Sequence, residues 1–282
     1  MKKQTSLFLA LVVASALAIT GCSKAETSDS ATSASCAKAD LATVASGKLT
    51  IATGEPAYYP WILDDAPETG TGFEGAVAYA VAKQLGFSND EVTWVRTTFD
   101  GAVAPGVKNF DFNLQQFSIT PERQEVVDFS SPYYTAPQAI VSYEGSKIAG
   151  KTSIADLKNA KLGAAVGTTS LDVISNQIGS TPSVFNDNAA AVSALKNKQI
   201  DGLVVDLPTA FYLAGVEIPK GIIVGQLPSN GVGDQFGLLL AKDSPLTTCV
   251  SGAVDAITAD GTLDAITTQW LSTEAGAPVI KE

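Results

Sequence analysis

The stretch QQFSITPERQEVVDFSSPYY, residues 115–134, holds one oddly placed charge. Thr120 followed by Pro121 reads as a helix start: a side-chain cap, then proline at the first helical position, where its missing N–H is no loss. Arg123 then falls in the first turn. That end of a helix dipole is positive, so a cation there is disfavoured by ~0.3–1 kcal/mol. Glutamate at the third position would instead complete a capping box. Two readings of Arg123 follow: a solvent-facing side chain that tolerates the dipole, or a cation kept in place for an anion.

Around this stretch, strand and helix signals alternate. KLTIAT (48–53) reads as a buried strand, and FEGAVAYAVAKQLG (73–86) puts Phe73, Val77, Ala80, Val81 and Leu85 on one helical face. VTWVRT (92–97) is a strand, FDGAVAPGVKNF a short helix disturbed by Pro105, DFNLQQFS (111–118) a strand, and QAIVSY (138–143) another. The pattern restarts with the strand KLGAAVG (161–167), the helices TSLDVISNQI and AAAVSALKNKQI, the strand DGLVVDL (201–207), the helix PTAFYLAG, and the strands GIIVGQL and QFGLLLA. Two helices, LTTCVSGAVDAITAD and TLDAITTQWL, finish the chain, with Gly261 between them as a stop signal. Two such series predict two α/β lobes, each a mostly parallel sheet flanked by helices. Ligands of open α/β sheets bind at the carboxyl ends of strands. Arg123, Thr169 and Asp206 all stand at such points.

The chain opens MKKQTSLFLALVVASALAITGC. Lys2 and Lys3 precede an apolar run over 7–19, short for a membrane span of ~20 residues, so residues 1–21 read as a signal peptide. Ile19-Thr20-Gly21-Cys22 resembles the bacterial lipobox, in which the cysteine is lipidated. The Ser-, Thr- and Ala-rich residues 22–46 read as a flexible tether. The expected location is the outer face of the cytoplasmic membrane. With Cys22 lipidated, Cys36 and Cys249 remain as a candidate disulfide pair in an exported chain; the other state is two free buried thiols.

Lys and Arg number 18 against 29 Asp and Glu, a net charge of −11, and losing Lys2 and Lys3 leaves the body more acidic still. Such a chain repels nucleic acid and anionic lipid. There is no histidine, which removes the commonest general base and transition-metal ligand. GTGFEG (70–75) satisfies G-x-G-x-x-G, but a polar turn precedes it rather than a strand, and Glu74 would face a pyrophosphate. Asp64-Asp65 reads as a solvated loop without metal-ligand spacing. No metal and no cofactor is expected.

LTIATGEPAYYPW, GFEGAVAYAVAKQLG, FSITPERQEVVDFSSPYY, KLGAAVGTT and DGLVVDLPTAFYL, in that order, together with the ending ADGTLDAITTQWL, resemble the amino-acid-binding proteins of bacterial ABC importers, solute-binding protein family 3. The likeness covers about residues 47–272, and the S-I-T-x-x-R-x-x-x-V-D-F-S-x-P-Y-Y piece is the most specific. It implies a two-lobed clamp, with residues 47–136 and 236–282 in lobe 1 and 137–235 in lobe 2. The crossings would lie near Thr135–Gln138 and Gly233–Phe236. It also implies that Arg123 forks onto a ligand α-carboxylate. A guanidinium gives a planar carboxylate two parallel charge-assisted hydrogen bonds.

By the same resemblance Asp206 receives the α-ammonium group, Ser118 and Thr169 hydrogen-bond the ligand from each lobe, Tyr58 and Phe99 sandwich its side chain, and Glu55 faces the side-chain pocket. Glu74 matches an acidic position of the family. Gln115 and Gln116 depart from it, standing where small residues are common, and would extend the polar lining. The implied function is capture of a free polar amino acid, neutral or cationic, by a monomeric lipid-anchored protein that delivers it to a membrane permease. A same-fold enzyme such as a cyclohexadienyl dehydratase, or a sensory lipoprotein without transport, are the alternatives.

Overall fold

A computed structural model describes residues 35–228, 234–271 and 277–282. The expected signal peptide, Cys22 and most of the tether lie outside the described residues, and so does Gly233 of the second expected crossing. Among the described residues no helix is long and apolar enough to cross a membrane.

The chain first builds β1 (Leu49–Gly54), α1 (Phe73–Gln84), β2 (Val92–Thr97), α2 (Phe99–Val103), β3 (Phe112–Asn113), α3 (Pro121–Gln124) and β4 (Val127–Ala136). It then crosses to β5 (Gln138–Tyr143), α4 (Ile154–Leu157), β6 (Leu162–Ala165), α5 (Thr169–Asp172), β7 (Ser183–Phe185), α6 (Asn188–Lys196), β8 (Gly202–Asp206), α7 (Leu207–Tyr212) and β9 (Gly221–Gln226). β10 (Asp234–Ala241), α8 (Thr247–Ala259) and α9 (Thr262–Leu271) return to the first lobe. One sheet runs β2-β1-β3-β10-β4 and the other β7-β6-β8-β5-β9. The fold is α/β and two-lobed.

Both sheets are mixed. β1 is parallel to β2 and β3, and β6 to β7 and β8, as strand–helix–strand units require. The strands that carry the chain between lobes are antiparallel to their neighbours: β10 to β3 and β4, and β5 to β8 and β9. Every residue of β1 is buried, as its apolar run predicts for a central parallel strand. β5 and β8 face apolar cores on both sides: Ala139, Val141, Leu203 and Val205 pack on one, Ile140 and Val204 on the other.

Both sheets are thus mixed where mostly parallel ones were expected, because the strands that cross between lobes return antiparallel, and three further features differ from the sequence reading. β4, ten residues long, is absent from it; the sheet accommodates Pro132 where the pairing with β10 shifts register. The strand expected over 111–118 is only Phe112–Asn113, because the chain turns at Gln116, whose φ is 52°. The last residues do not belong to lobe 1. Val279 pairs with Gln226 and Lys281 with Ser153, and Ile280 is 2% exposed in a lobe 2 core. This apolar tail covers β9, which would otherwise be an open sheet edge.

Cys36 and Cys249 form a disulfide with Cα atoms 5.4 Å apart, tying the start of the described chain to α8.

Candidate functional site

Thr120 caps α3 as expected, its Oγ1 accepting from the Arg123 N–H at 3.2 Å. But α3 is a single turn, so the positive field there comes from the guanidinium far more than from a helix dipole. Arg123 is 7% exposed. Its Nη1 donates to the Ser118 carbonyl at 2.7 Å and its Nη2 to the Gly167 carbonyl at 2.9 Å, and its guanidinium lies 5.3 Å from the Phe99 ring centre. Gly167 belongs to lobe 2, so this arginine already spans the two lobes. No ion pair among the described residues includes it. Burial pushes its pKa down, against the opposing charges of Asp234 and Asp206.

Asp206 stands at the N-cap of α7 but makes no cap bond. Its Oδ1 accepts instead from Gln138 Nε2 at 2.7 Å. Burial first, then the nearby carboxylates of Asp234 and Glu74, push it up to about 8, with Arg123 opposing. Ser118 and Thr169 approach from opposite lobes, their hydroxyl oxygens 3.4 Å apart. Thr169 is the first residue of α5, and the cap position before it belongs to Thr168.

These groups line one cavity of about 340 Å³ between the lobes. All eight expected site residues line it: Arg123, Asp206, Ser118, Thr169, Tyr58, Phe99, Glu55 and Gln116. Among the described residues four carboxylates, from Glu55, Asp100, Asp187 and Asp206, share the lining with a single cation, Arg123. Tyr58 comes from the loop after β1. That loop is held by Arg96, which donates to the Gly54 carbonyl at 2.7 Å and pairs with Asp65 at 2.5 Å, so Asp65 is an anchor rather than a free solvated residue. The buried Tyr58 hydroxyl has no hydrogen-bond partner among the described residues. Burial, Asp187 and more distant carboxylates push its pKa up to about 12, so it stays a neutral donor.

Glu74 does not line the cavity. It lies beneath the floor, 0% exposed, and accepts from the Gln116 N–H at 2.8 Å, from the Gln116 side-chain amide, and from the Tyr133 hydroxyl. Burial lifts it to about 7 despite those bonds. Gln116 is thereby held in left-handed backbone with its amide N–H turned into the floor. Gln115 lies over Gly54, where an added Cβ would meet its Nε2 at 2.7 Å; the glycine makes room for it.

Sequence reasoning missed Gln138 and Asp234. Gln138 Nε2 donates to both Asp206 Oδ1 and Asp234 Oδ2, the latter at 3.1 Å. Both stand at strand starts within or beside the expected crossings, and a charge and an amide opening apolar strands were the available signal. Among the described residues no cluster of three or more His, Cys, Asp or Glu side chains is arranged to hold a metal ion. Chemically, the cavity offers a fixed cation, carboxylates, hydroxyls and aromatic faces: a receptor for a small dipolar molecule.

A "Probable histidine-binding protein" of Campylobacter jejuni is 30% identical to this chain over 226 residues, 77% of this chain and 83% of that protein. The "ABC transporter arginine-binding protein 1" of Escherichia coli K12 is 30% identical over 218 residues, 76% of this chain and 86% of that one. Among solved structures, an ancestral arginine-binding protein bound to glutamine superposes with a TM-score of 0.67 at 31% identity, covering 80% of this chain and 98% of that one. Residues 49–273 match the family model of the bacterial extracellular solute-binding proteins, family 3. Fold, cavity and sequence agree, and the chain belongs to that family.

Proposed function

We propose that this protein captures a free polar amino acid, neutral or cationic, between its lobes and delivers it to the permease of an ABC importer. The carrying observation is Arg123: a buried guanidinium, in no ion pair among the described residues, lining the same cavity as Asp206. Arg123 takes the α-carboxylate and Asp206 the α-ammonium group. Phe99 and Tyr58 flank the side chain. The acidic lining favours a side chain that is cationic or donates hydrogen bonds, and a second ligand carboxylate would be repelled by Glu55, Asp100 and Asp187. The named relatives, for histidine and arginine, support the same class. The protein works as a monomer, held by lipid on Cys22 at the outer face of the cytoplasmic membrane.

The cavity favours binding over catalysis. Glu74, a buried acid whose pKa stands near neutrality, is sealed beneath Gln116 and Tyr133, so it has no path to a ligand as a general acid, and the other raised acid, Asp206, is in this reading the partner of the ammonium group. The test is thermal unfolding of the protein against the twenty amino acids plus cystine and ornithine. A ligand at ~100 times its dissociation constant stabilises by ~2.7 kcal/mol, a shift of several degrees. A clear hit among polar neutral or cationic amino acids is expected; a cooperative melt that no amino acid moves overturns the reading.

A further inference from the structure

The hinge holds two residues, Asp234 and Gln138, to which the ligand contacts above give no role. Asp234 opens β10, where the chain re-enters lobe 1, and pairs through its backbone with Ala136 at the end of β4. One of its oxygens, Oδ2, accepts three hydrogen bonds: from Thr169 Oγ1 at 2.6 Å, Ser118 Oγ at 3.1 Å and Gln138 Nε2 at 3.1 Å. Ser118 and Asp234 belong to lobe 1, Thr169 and Gln138 to lobe 2. Gln138 in turn opens β5, donates to Asp206, and accepts from Ser170 Oγ at 2.7 Å. A single carboxylate oxygen thus gathers a hydroxyl from each lobe and, through one amide, the carboxylate that faces the ligand.

Two consequences follow from elementary chemistry. At 2.6 Å the Thr169–Asp234 bond is a short contact between the lobes, and it exists only while the lobes are together. A hydroxyl also has one proton. With both protons aimed at Asp234, Ser118 and Thr169 turn lone pairs towards the cavity.

We propose that Asp234 is a positioning residue for ligand capture: a hinge latch that, through Thr169, Ser118 and Gln138, holds the clamp closed and orients the groups that meet the ligand. It rests on the capture reading above. Asp234 does not line the cavity, so its effect on affinity enters through the fraction of protein in the closed state, by which the intrinsic dissociation constant is divided to give the apparent one.

The test combines calorimetric titration, with L-arginine and L-glutamine as probes, and small-angle scattering of the ligand-free protein. Asp234→Ala is expected to weaken the tighter probe about tenfold or more by lowering the closed fraction, and to enlarge the ligand-free radius of gyration. Asp234→Asn, which keeps an acceptor oxygen and the shape, is expected to fall between wild type and Asp234→Ala, and serves alone should the alanine variant fail to fold. Thr169→Val cuts the same latch from the other lobe. Residues that share a contact are non-additive, so Asp234→Asn/Thr169→Val should lose less affinity than the product of the two single losses. Multiplying losses, or unchanged affinity in Asp234→Ala or, if that variant is lost, in Asp234→Asn, would overturn the latch. Should wild type bind neither probe, the capture reading fails for these ligands and scattering alone decides the latch: a more open variant sustains it, an unchanged one removes it.

Discussion

Arg123 is the residue on which the site turns. It was legible in the sequence because it breaks a local rule, and the structure gives the reason: its guanidinium, held by two carbonyls and lying over Phe99, faces the cavity instead of solvent. Truncating one partner of a buried charged contact costs ~2–5 kcal/mol. Arg123→Ala should therefore weaken amino-acid binding at least about tenfold with the fold intact; calorimetry showing equal affinity would remove the carboxylate assignment. Glu74 and Asp206 make a second, opposite pair of expectations. Both carboxyls have folded pKa values raised above their ordinary ones, to about 7 and about 8. Between roughly pH 4 and 8 the folded state therefore holds more protons than the unfolded chain, and the ligand-free protein loses stability as pH rises through that window. Glu74→Gln should flatten its share, on the order of 3 kcal/mol for a pKa raised from 4.5 to about 7. Urea midpoints at pH 5 and pH 8 measure this. Ligand affinity should run the other way, rising with pH as Asp206 ionises to meet the ammonium group; a flat affinity profile over pH 6–9 would speak against Asp206 as its partner. Asp234 and Gln138 stayed hidden because nothing in a strand's first residue tells which way its side chain turns.

At the scale of elements, most of the helices and strands follow from periodicity and their caps. β4 did not, because its tolerance of Pro132 is decided by the register shift in β10. The C-terminal tail failed for the same physical reason: residues 277–282 are too few to show a period, and their partner, β9, lies some fifty positions earlier. The odd cysteine count pointed to the Cys36–Cys249 bond, but only the fold shows it fastening the chain's start to α8, across a sequence separation of 213. Closing so long a loop is worth about 5 kcal/mol in the chain-entropy picture. Cys36→Ser/Cys249→Ser is expected to unfold at clearly lower denaturant while still binding ligand, since neither residue lines the cavity. An unchanged midpoint would mean that the unfolded chain gains little freedom when the bond is absent.

At the scale of the molecule, the lobes meet through contacts that only a closed clamp can make: Trp61 Nε1 donates to Thr209 Oγ1 at 2.8 Å, Tyr59 packs on Tyr212 with ring centres 5.6 Å apart, and Arg123 reaches the Gly167 carbonyl. The two-lobed architecture could be read from the doubled strand–helix series and the family resemblance. The mixed sheets could not be, because antiparallel pairing of the crossing strands depends on where the chain returns. Closure around a zwitterion is the central claim, and one comparison tests it most directly. Calorimetry would first find the free L-amino acid that binds wild-type protein most tightly, and then titrate its decarboxylated amine, which keeps the side chain and the ammonium group and lacks only the carboxylate. If Arg123 recognises that carboxylate, the amine should bind weaker by about 2–5 kcal/mol, at least some thirtyfold. Equal affinity for the amine would contradict the assignment of Arg123 and, with it, the reading of the cavity as an amino-acid site.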